Sequence, residues 1–389
     1  MEDAVYVRDG LVVFTREGIY QMRLKIAPQR YVYKSLKTRN KRDALEKARR
    51  EFFKFEDRTE QGLAYVTPTV KKVLAEYDAY RTKENEQGRT KDGMLRQVKR
   101  VQKFWIEFIG DKQIDRVDNK DFEQYETWRR EYYSKLKTLP RNAALIPTDK
   151  TMHWETTFFK TVIKWATQKG YRGNKSVPTY TFKLKKYRSR PAIEMHEHRK
   201  IIMVMRKRIK QSTNPAWRYM REVLRDYVLV LANSGVRVGE LNNLRIRDIH
   251  AFKDDKEREN YRLIVRGKTG ERDVIPRQGC KRYIDRALER RKAQGAKAND
   301  FLFVMHSGAK ITTLIDQFKE VLKEADVEYN SAGEPYTLYS YRHHYAIHAL
   351  RKGKGVFEVA RNMGTSVQMI NLYYGRQATS QTFATRLGD

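Results

Sequence analysis

The chain has a single cysteine in 389 residues, Cys280. It can form no internal disulfide, and such cysteine usage suits a reducing compartment. It has no apolar run approaching the ~18 residues of a membrane-spanning helix, so no membrane partner is expected. The N-terminus lacks the apolar stretch of a secretory signal, and none is expected. No Walker-type glycine loop is present, which removes the commonest phosphate-binding reading. Acidic residues are the outnumbered class: 48 Asp and Glu face 81 Lys and Arg, a net charge of +33. Solubility calls for a net charge of only ~2–8 in a small domain. The excess runs along the whole chain rather than in one tail. It points to a polyanionic partner, with nucleic acid favoured over a membrane surface.

What is present divides into segments. Forty per cent of residues are hydrophobic, enough to bury cores in two or three domains of ~150 residues. Residues 4–39 read as a series of short strands, in the runs Ala4–Val7, Leu11–Phe14, Ile19–Ile26 and Arg30–Leu36, broken at Asp9-Gly10, Glu17-Gly18 and Pro28. A helix is expected from Lys41 to about Glu56, with Ala44, Leu45, Ala48, Phe52 and Phe55 on one side. Arg23, Lys25, Arg30 and Lys34 on such a sheet suit a module that reads DNA with strands. The competing reading is a small cap with no site of its own.

From Val70 to about Gly170 the pattern is helical and basic. Met94, Leu95, Val98, Val101, Trp105 and Phe108 form an apolar face, Asp118 is placed to cap a helix carrying Phe122, Tyr125 and Trp128, and a further helix spans Thr151–Gln168. Its aromatics read as core rather than as base-stacking platforms. Residues 179–191 read as a basic interdomain linker. Helices then follow at Glu194 to about Lys210 and Ala216–Ala232. Arg262–Pro276 reads as two strands turning at Lys268–Gly270.

The chemistry sits in two stretches. Near the C-terminus three short helical patterns are joined by glycines: Tyr339–Leu350 before Gly353, Val356–Met363 before Gly364, and Val367–Tyr373 with Ser366 as its cap. They carry Arg342 and the pair Tyr373-Tyr374. Upstream stands Asn233-Ser234-Gly235-Val236-Arg237-Val238-Gly239-Glu240-Leu241. Here Gly235 turns the chain after a buried helix, and Glu240 is spaced to orient Arg237. A planar guanidinium grips two phosphate oxygens, which a lysine cannot do. His196, His198, His343, His344 and His348 suggest a metal at first sight. With few carboxylates and no cysteine at ligand spacing, no metal or cofactor is expected.

These stretches resemble the tyrosine recombinase, or phage integrase, family. The upstream one matches that family's Gly-x-Arg-x-x-Glu-Leu. Tyr339-Ser340-Tyr341-Arg342 stands at its His-x-x-Arg, Met363-Gly364-Thr365 at its Leu-Gly-His, and Tyr374 lies at the family's nine-residue spacing from Thr365. The resemblance implies Arg237, Lys268, Tyr339, Arg342, Thr365 and Tyr374 as catalytic positions, with Glu240 in support. Two family histidines are replaced, by Tyr339 and Thr365, neither of which titrates near neutral pH when unperturbed.

The fold expected is α+β and multidomain. Residues 1–62 would form a small β-sheet plus helix of the arm-type DNA-binding kind, 66–178 an all-helical core-binding domain, 179–191 the linker, and 192–389 a mostly α catalytic domain with a small sheet. The resemblance implies a site-specific integrase that works through a 3′-phosphotyrosine. It also implies double-stranded DNA with core and arm sites as partner, a homotetramer on that DNA, and help from a host DNA-bending protein or an excisionase. The implied setting is the cytoplasm and nucleoid of a bacterial host. Alternatives are a type IB topoisomerase-like strand transferase and a DNA-binding relative without chemistry.

Overall fold

The computed structural model describes residues 2–61, 67–90, 92–140, 143–173, 175–182, 191–267 and 270–375. The chain divides into two compact units, Met1–Tyr187 and Arg188–Asp389.

The first unit opens with an antiparallel meander, β1 (Glu2–Arg8), β2 (Leu11–Arg16), β3 (Ile19–Ala27) and β4 (Arg30–Ser35), paired in sequence order. Its turns fall at the expected breaks. Glu17 and Gly18 both take positive φ, 55° and 74°, the backbone twist that tight hairpins select. Alternation sets the two faces. Leu11, Val13, Tyr20, Met22 and Leu24 are buried against α1 (Lys41–Glu60), which presents the small Ala44 and Ala48 and so approaches closely. Asn40 caps α1 by accepting from the amides of Arg42 and Asp43. The helix runs a turn further than its apolar pattern indicated.

Four helices follow: α2 (Val70–Glu86), α3 (Asp92–Ile109), α4 (Asn119–Glu131) and α5 (Asp149–Gln168). Trp105 fills their centre, stacked between Tyr125 (ring centroids 3.7 Å apart) and Phe159 (3.9 Å). Its indole N–H donates to the Glu155 carbonyl at 3.2 Å. Glu155 is itself fully buried, clamped by Arg129 at 3.0 and 3.1 Å and by the Tyr125 hydroxyl at 2.8 Å. A buried carboxylate is tolerated only when so paired. The aromatics are thus core, as expected. Met94 is not: it lies in the first turn of α3 and stays exposed, while Phe104 takes a buried place in the stripe. Asp118 caps α4 as expected, in a reciprocal box with Asp121. Tyr180 and Phe182, read as linker, pack on this core instead.

The second unit is built around α7 (Pro215–Ser234), whose stretch from Val223 to Ser234 is buried on nearly every side. α6 (Met195–Lys210) precedes it. α8 (Val238–Leu241), an antiparallel sheet of β5 (Ile249–Lys253), β6 (Glu259–Gly267) and β7 (Gly270–Val274), α9 (Lys281–Ala293) and α10 (Ile315–Glu324) follow. β5 was not expected, because its residues are only half-buried and carry little alternation. α11 (Ser340–Arg351), α12 (Val356–Met363) and α13 (Val367–Ile370) then appear at the three glycine-punctuated patterns. Ser366 caps α13 by accepting from the Met369 amide. The architecture is the α+β one anticipated. Among the described residues no helix is long and apolar enough to cross a membrane.

α11 meets α6 through a histidine cluster. His344 donates from Nδ1 to the Ile193 carbonyl at 2.6 Å, and its ring lies 5.1 Å from that of His198 and 5.9 Å from that of His348. His198 and His348 are both pushed down to about 4, first by burial and then by the nearby His344 and Arg277. His344 is lowered too, chiefly by burial. Groups with depressed folded pKa bind protons more readily when unfolded, so their stabilisation is complete above about 6.5 and lost as pH falls toward 4. We therefore expect the melting temperature to drop between pH 6.5 and about 5, before carboxylates protonate. Replacing His198 and His348 by Gln should flatten that drop. A melting temperature that holds steady across this window would contradict the cluster's role.

Candidate active site

The C-terminal end of α12 is where the candidate residues meet. Gly364 ends the helix in the left-handed conformation, at φ 61°. A helix leaves its last carbonyls without internal partners and concentrates partial negative charge there. Here three consecutive ones each receive a different arginine. The Asn362 carbonyl accepts from Arg272, the Met363 carbonyl from Arg342 at 2.7 Å, and the Gly364 carbonyl from Arg237 at 2.6 Å. Arg237 comes from the start of α8, Arg272 from β7 and Arg342 from α11. Arg342 reaches back to donate to the Gly235 carbonyl at 2.5 Å as well. Gly235 is required there: its φ is 68°, and a Cβ would run into the Tyr345 ring. The two arginines marked as phosphate ligands are thereby held on adjacent carbonyls of one turn.

Glu240 ties two of the three together. It is 2% exposed and accepts from Arg237 Nη1 at 2.6 Å, from the Arg237 amide at 2.8 Å and from Arg272 Nη2 at 2.6 Å. Burial alone would raise its pKa. The Arg237 amide and the two guanidiniums reverse that and hold it below the ordinary carboxyl value, so it stays ionised. Gly267, the last residue of β6, lies so close that a Cβ would stand 2.7 Å from Glu240 Oε1. The strand root of the hairpin is thus anchored on the same carboxylate. Arg237 commits two of its five N–H groups to Glu240 and Gly364 and remains partly exposed, leaving donors for an anion.

Lys268 lies outside the described residues. Tyr339 directly precedes α11, half-buried, with its ring 5.3 Å from that of His343. Thr365 is half-buried and its amide donates to the Ala360 carbonyl at 3.0 Å. The backbone of Tyr374 belongs to the wide turn Asn371–Gly375; its side chain lies outside the described residues. Tyr373 packs against the core formed by α11, α12 and Ile370. No group of three or more His, Cys, Asp or Glu among the described residues could hold a metal ion.

On the N-terminal sheet Arg23 and Lys25 share the face away from α1, beside Tyr33 and Tyr31 in register, and Arg23 lies 5.1 Å over the Tyr31 ring. Arg30 is exposed at the start of β4. Lys34 is not brought to that face. It pairs in register with Met22 on the helix side and bonds Glu51 of α1 at 2.6 Å.

Arg272 and Asn362 were not singled out from the sequence. Arg272 carried a signal: it pairs with Val265, on the buried face of β6, so period-2 alternation puts a charge on the inward side. Asn362 carried none. It donates to the Tyr345 hydroxyl at 2.8 Å and accepts from the Ile275 amide at 2.8 Å, contacts that depend on tertiary structure.

Residues 193–379 match the Phage integrase family. No curated protein matches the sequence. Among solved structures, the chain is similar to a lambda integrase dimer bound to a COC′ core site, with 16% identity over 93% of this chain and 94% of that one and a TM-score of 0.58. It is similar to the Tn1549 transposon integrase in complex with transposon right-end DNA, with 16% identity, 82% and 98% coverage and a TM-score of 0.57. It is also similar to the XerH recombinase bound to a palindromic difH substrate, with 16% identity, 75% and 77% coverage and a TM-score of 0.51. At such identities the likeness is one of fold.

Proposed function

We propose that the chain, whose residues 193–379 match the Phage integrase family, is a site-specific DNA recombinase of that family, the integrase of a mobile element. The observation that carries this reading is the seating of Arg237 and Arg342 on adjacent carbonyls of the Met363–Gly364 turn. In the reaction, the Tyr374 oxygen attacks a DNA phosphorus and the bond to the 5′ oxygen breaks. The resulting 3′-phosphotyrosine keeps the bond energy, so no nucleotide cofactor is needed. Arg237 and Arg342 stabilise the charge that builds on the nonbridging oxygens. Lys268, which follows β6 in the sequence, gives a proton to the leaving 5′ oxygen. Tyr339 and Thr365 contribute hydrogen bonds only. Attack by a 5′ hydroxyl of another strand reverses the step and completes the exchange.

Tyr374 rather than Tyr373 is the nucleophile in this reading. Neighbours on a helix point about 100° apart, and Tyr373 is the one packed against the core. Residues 1–62 form an arm-site domain whose outer face, with Arg23, Lys25 and Arg30, meets a second DNA sequence. Residues 66–178 and 192–389 bind the core site. The lambda and Tn1549 proteins were solved on core-site and transposon-end DNA, which supports duplex DNA as the partner. Assembly as a homotetramer on that DNA, assistance from a host DNA-bending protein or excisionase, and a bacterial cytoplasm as the setting complete the proposal.

Two experiments test it. Nicked suicide duplexes, drawn from a library enriched by binding to the chain, should become covalently attached. Tyr374→Phe should abolish the adduct and keep binding, while Tyr373→Phe should retain most cleavage. An adduct mapped to Tyr373, or a Tyr374→Phe chain that still cleaves, refutes the assignment. A chain that binds but never attaches is a relative without the chemistry. Removing residues 1–62 should leave adduct formation intact and abolish binding to a second, distal sequence. A truncated chain that binds every site as well as the whole chain overturns the arm-site reading.

A further inference from the structure

We propose that Arg272 is a positioning residue for strand cleavage, acting through Glu240 to set Arg237; this rests on the recombinase reading above. Its side chain is 14% exposed, so it is no surface cation waiting for DNA. Its two Nη groups are spent inside the protein, one on Glu240 Oε2 at 2.6 Å and one on the Asn362 carbonyl. Its Nε lies directly beneath Gly364, where a Cβ would collide with it. Arg272 therefore touches the carboxylate that orients Arg237 and underlies the turn whose other carbonyls hold Arg237 and Arg342.

The geometry makes the fork of the guanidinium necessary. Glu240 offers Oε1 to the Arg237 side chain, while Oε2 is shared between the Arg237 amide and Arg272. Without Arg272, one side of a buried carboxylate loses its ionic partner. The carboxylate is then free to rotate toward Arg237 and draw its guanidinium out of the phosphate seat. A lysine keeps the charge but cannot bond Glu240 and the Asn362 carbonyl in one plane. Arg272 also stands on β7, four residues after Lys268 in the sequence, and Gly267 on β6 packs against the same Glu240. The hairpin root and Arg237 thus share one anchor.

The test is single-turnover attachment of the same nicked duplexes at saturating DNA, with the dissociation constant measured in parallel. For Arg272→Lys we expect attachment to slow by about 10²-fold, the scale of a small misplacement of a reacting group, with the dissociation constant close to that of the parent chain. Methylguanidinium should restore part of the rate to Arg272→Ala. The double variant Arg272→Lys, Glu240→Gln should be no slower than its slower single parent, because the two act as one unit. Attachment by Arg272→Lys at the parental rate overturns the proposal. So does a parallel loss of binding and melting temperature without methylguanidinium rescue, or a double variant whose losses multiply. If Arg272→Lys does not fold, Glu240→Gln carries the same comparison of rate against binding, and a parental rate there is equally fatal. A parent chain that forms no adduct removes the recombinase reading, and this one with it.

Discussion

The open end of one short helix is the constraint on which the candidate site depends. Three successive carbonyls at the end of α12 face inward, and each must find a donor where water is scarce. The chain supplies three arginines from three separate elements, α8, β7 and α11. Satisfying the backbone thereby fixes the guanidiniums. Sites are most accurate when their functional groups are locked by contacts that the fold needs anyway, and here one set of hydrogen bonds serves both purposes.

Such a concentration of positive charge requires a counterweight, which is Glu240. It is buried and ionised, and it divides its oxygens between Arg237 and Arg272. One carboxylate against three guanidiniums leaves the site net positive. That imbalance costs folding energy in the free chain and favours an anion arriving from outside. The overall charge of +33 supplies the same bias at long range, and the site supplies it at contact distance.

The catalytic half was legible in the sequence to the extent that its geometry is local. Gly235 announces a left-handed turn, Glu240 lies one helical turn from Arg237, and Gly364 closes α12, each a signal carried by its own short stretch of chain. Tyr20, Met22 and Leu24 likewise reveal the buried face of the N-terminal sheet by alternation. What was not legible depends on residues far apart in the chain. Lys34 falls on the helix side of its sheet because it pairs in register with Met22, where Glu51 of α1, 17 residues along the chain, takes its ammonium. Tyr180 and Phe182 look like linker until the bundle core gives them somewhere to pack. Arg272 is a charged residue in a strand of mixed charge, and only its register against Val265 reveals that it points inward.

In the proposed reaction, paired guanidiniums stabilise the phosphate in the way a bound metal ion does elsewhere. Strand attachment in excess EDTA tests this most directly. The rate and yield of the covalent adduct in EDTA are expected to equal those in magnesium. Loss of the adduct in EDTA, with recovery on adding magnesium, would contradict it.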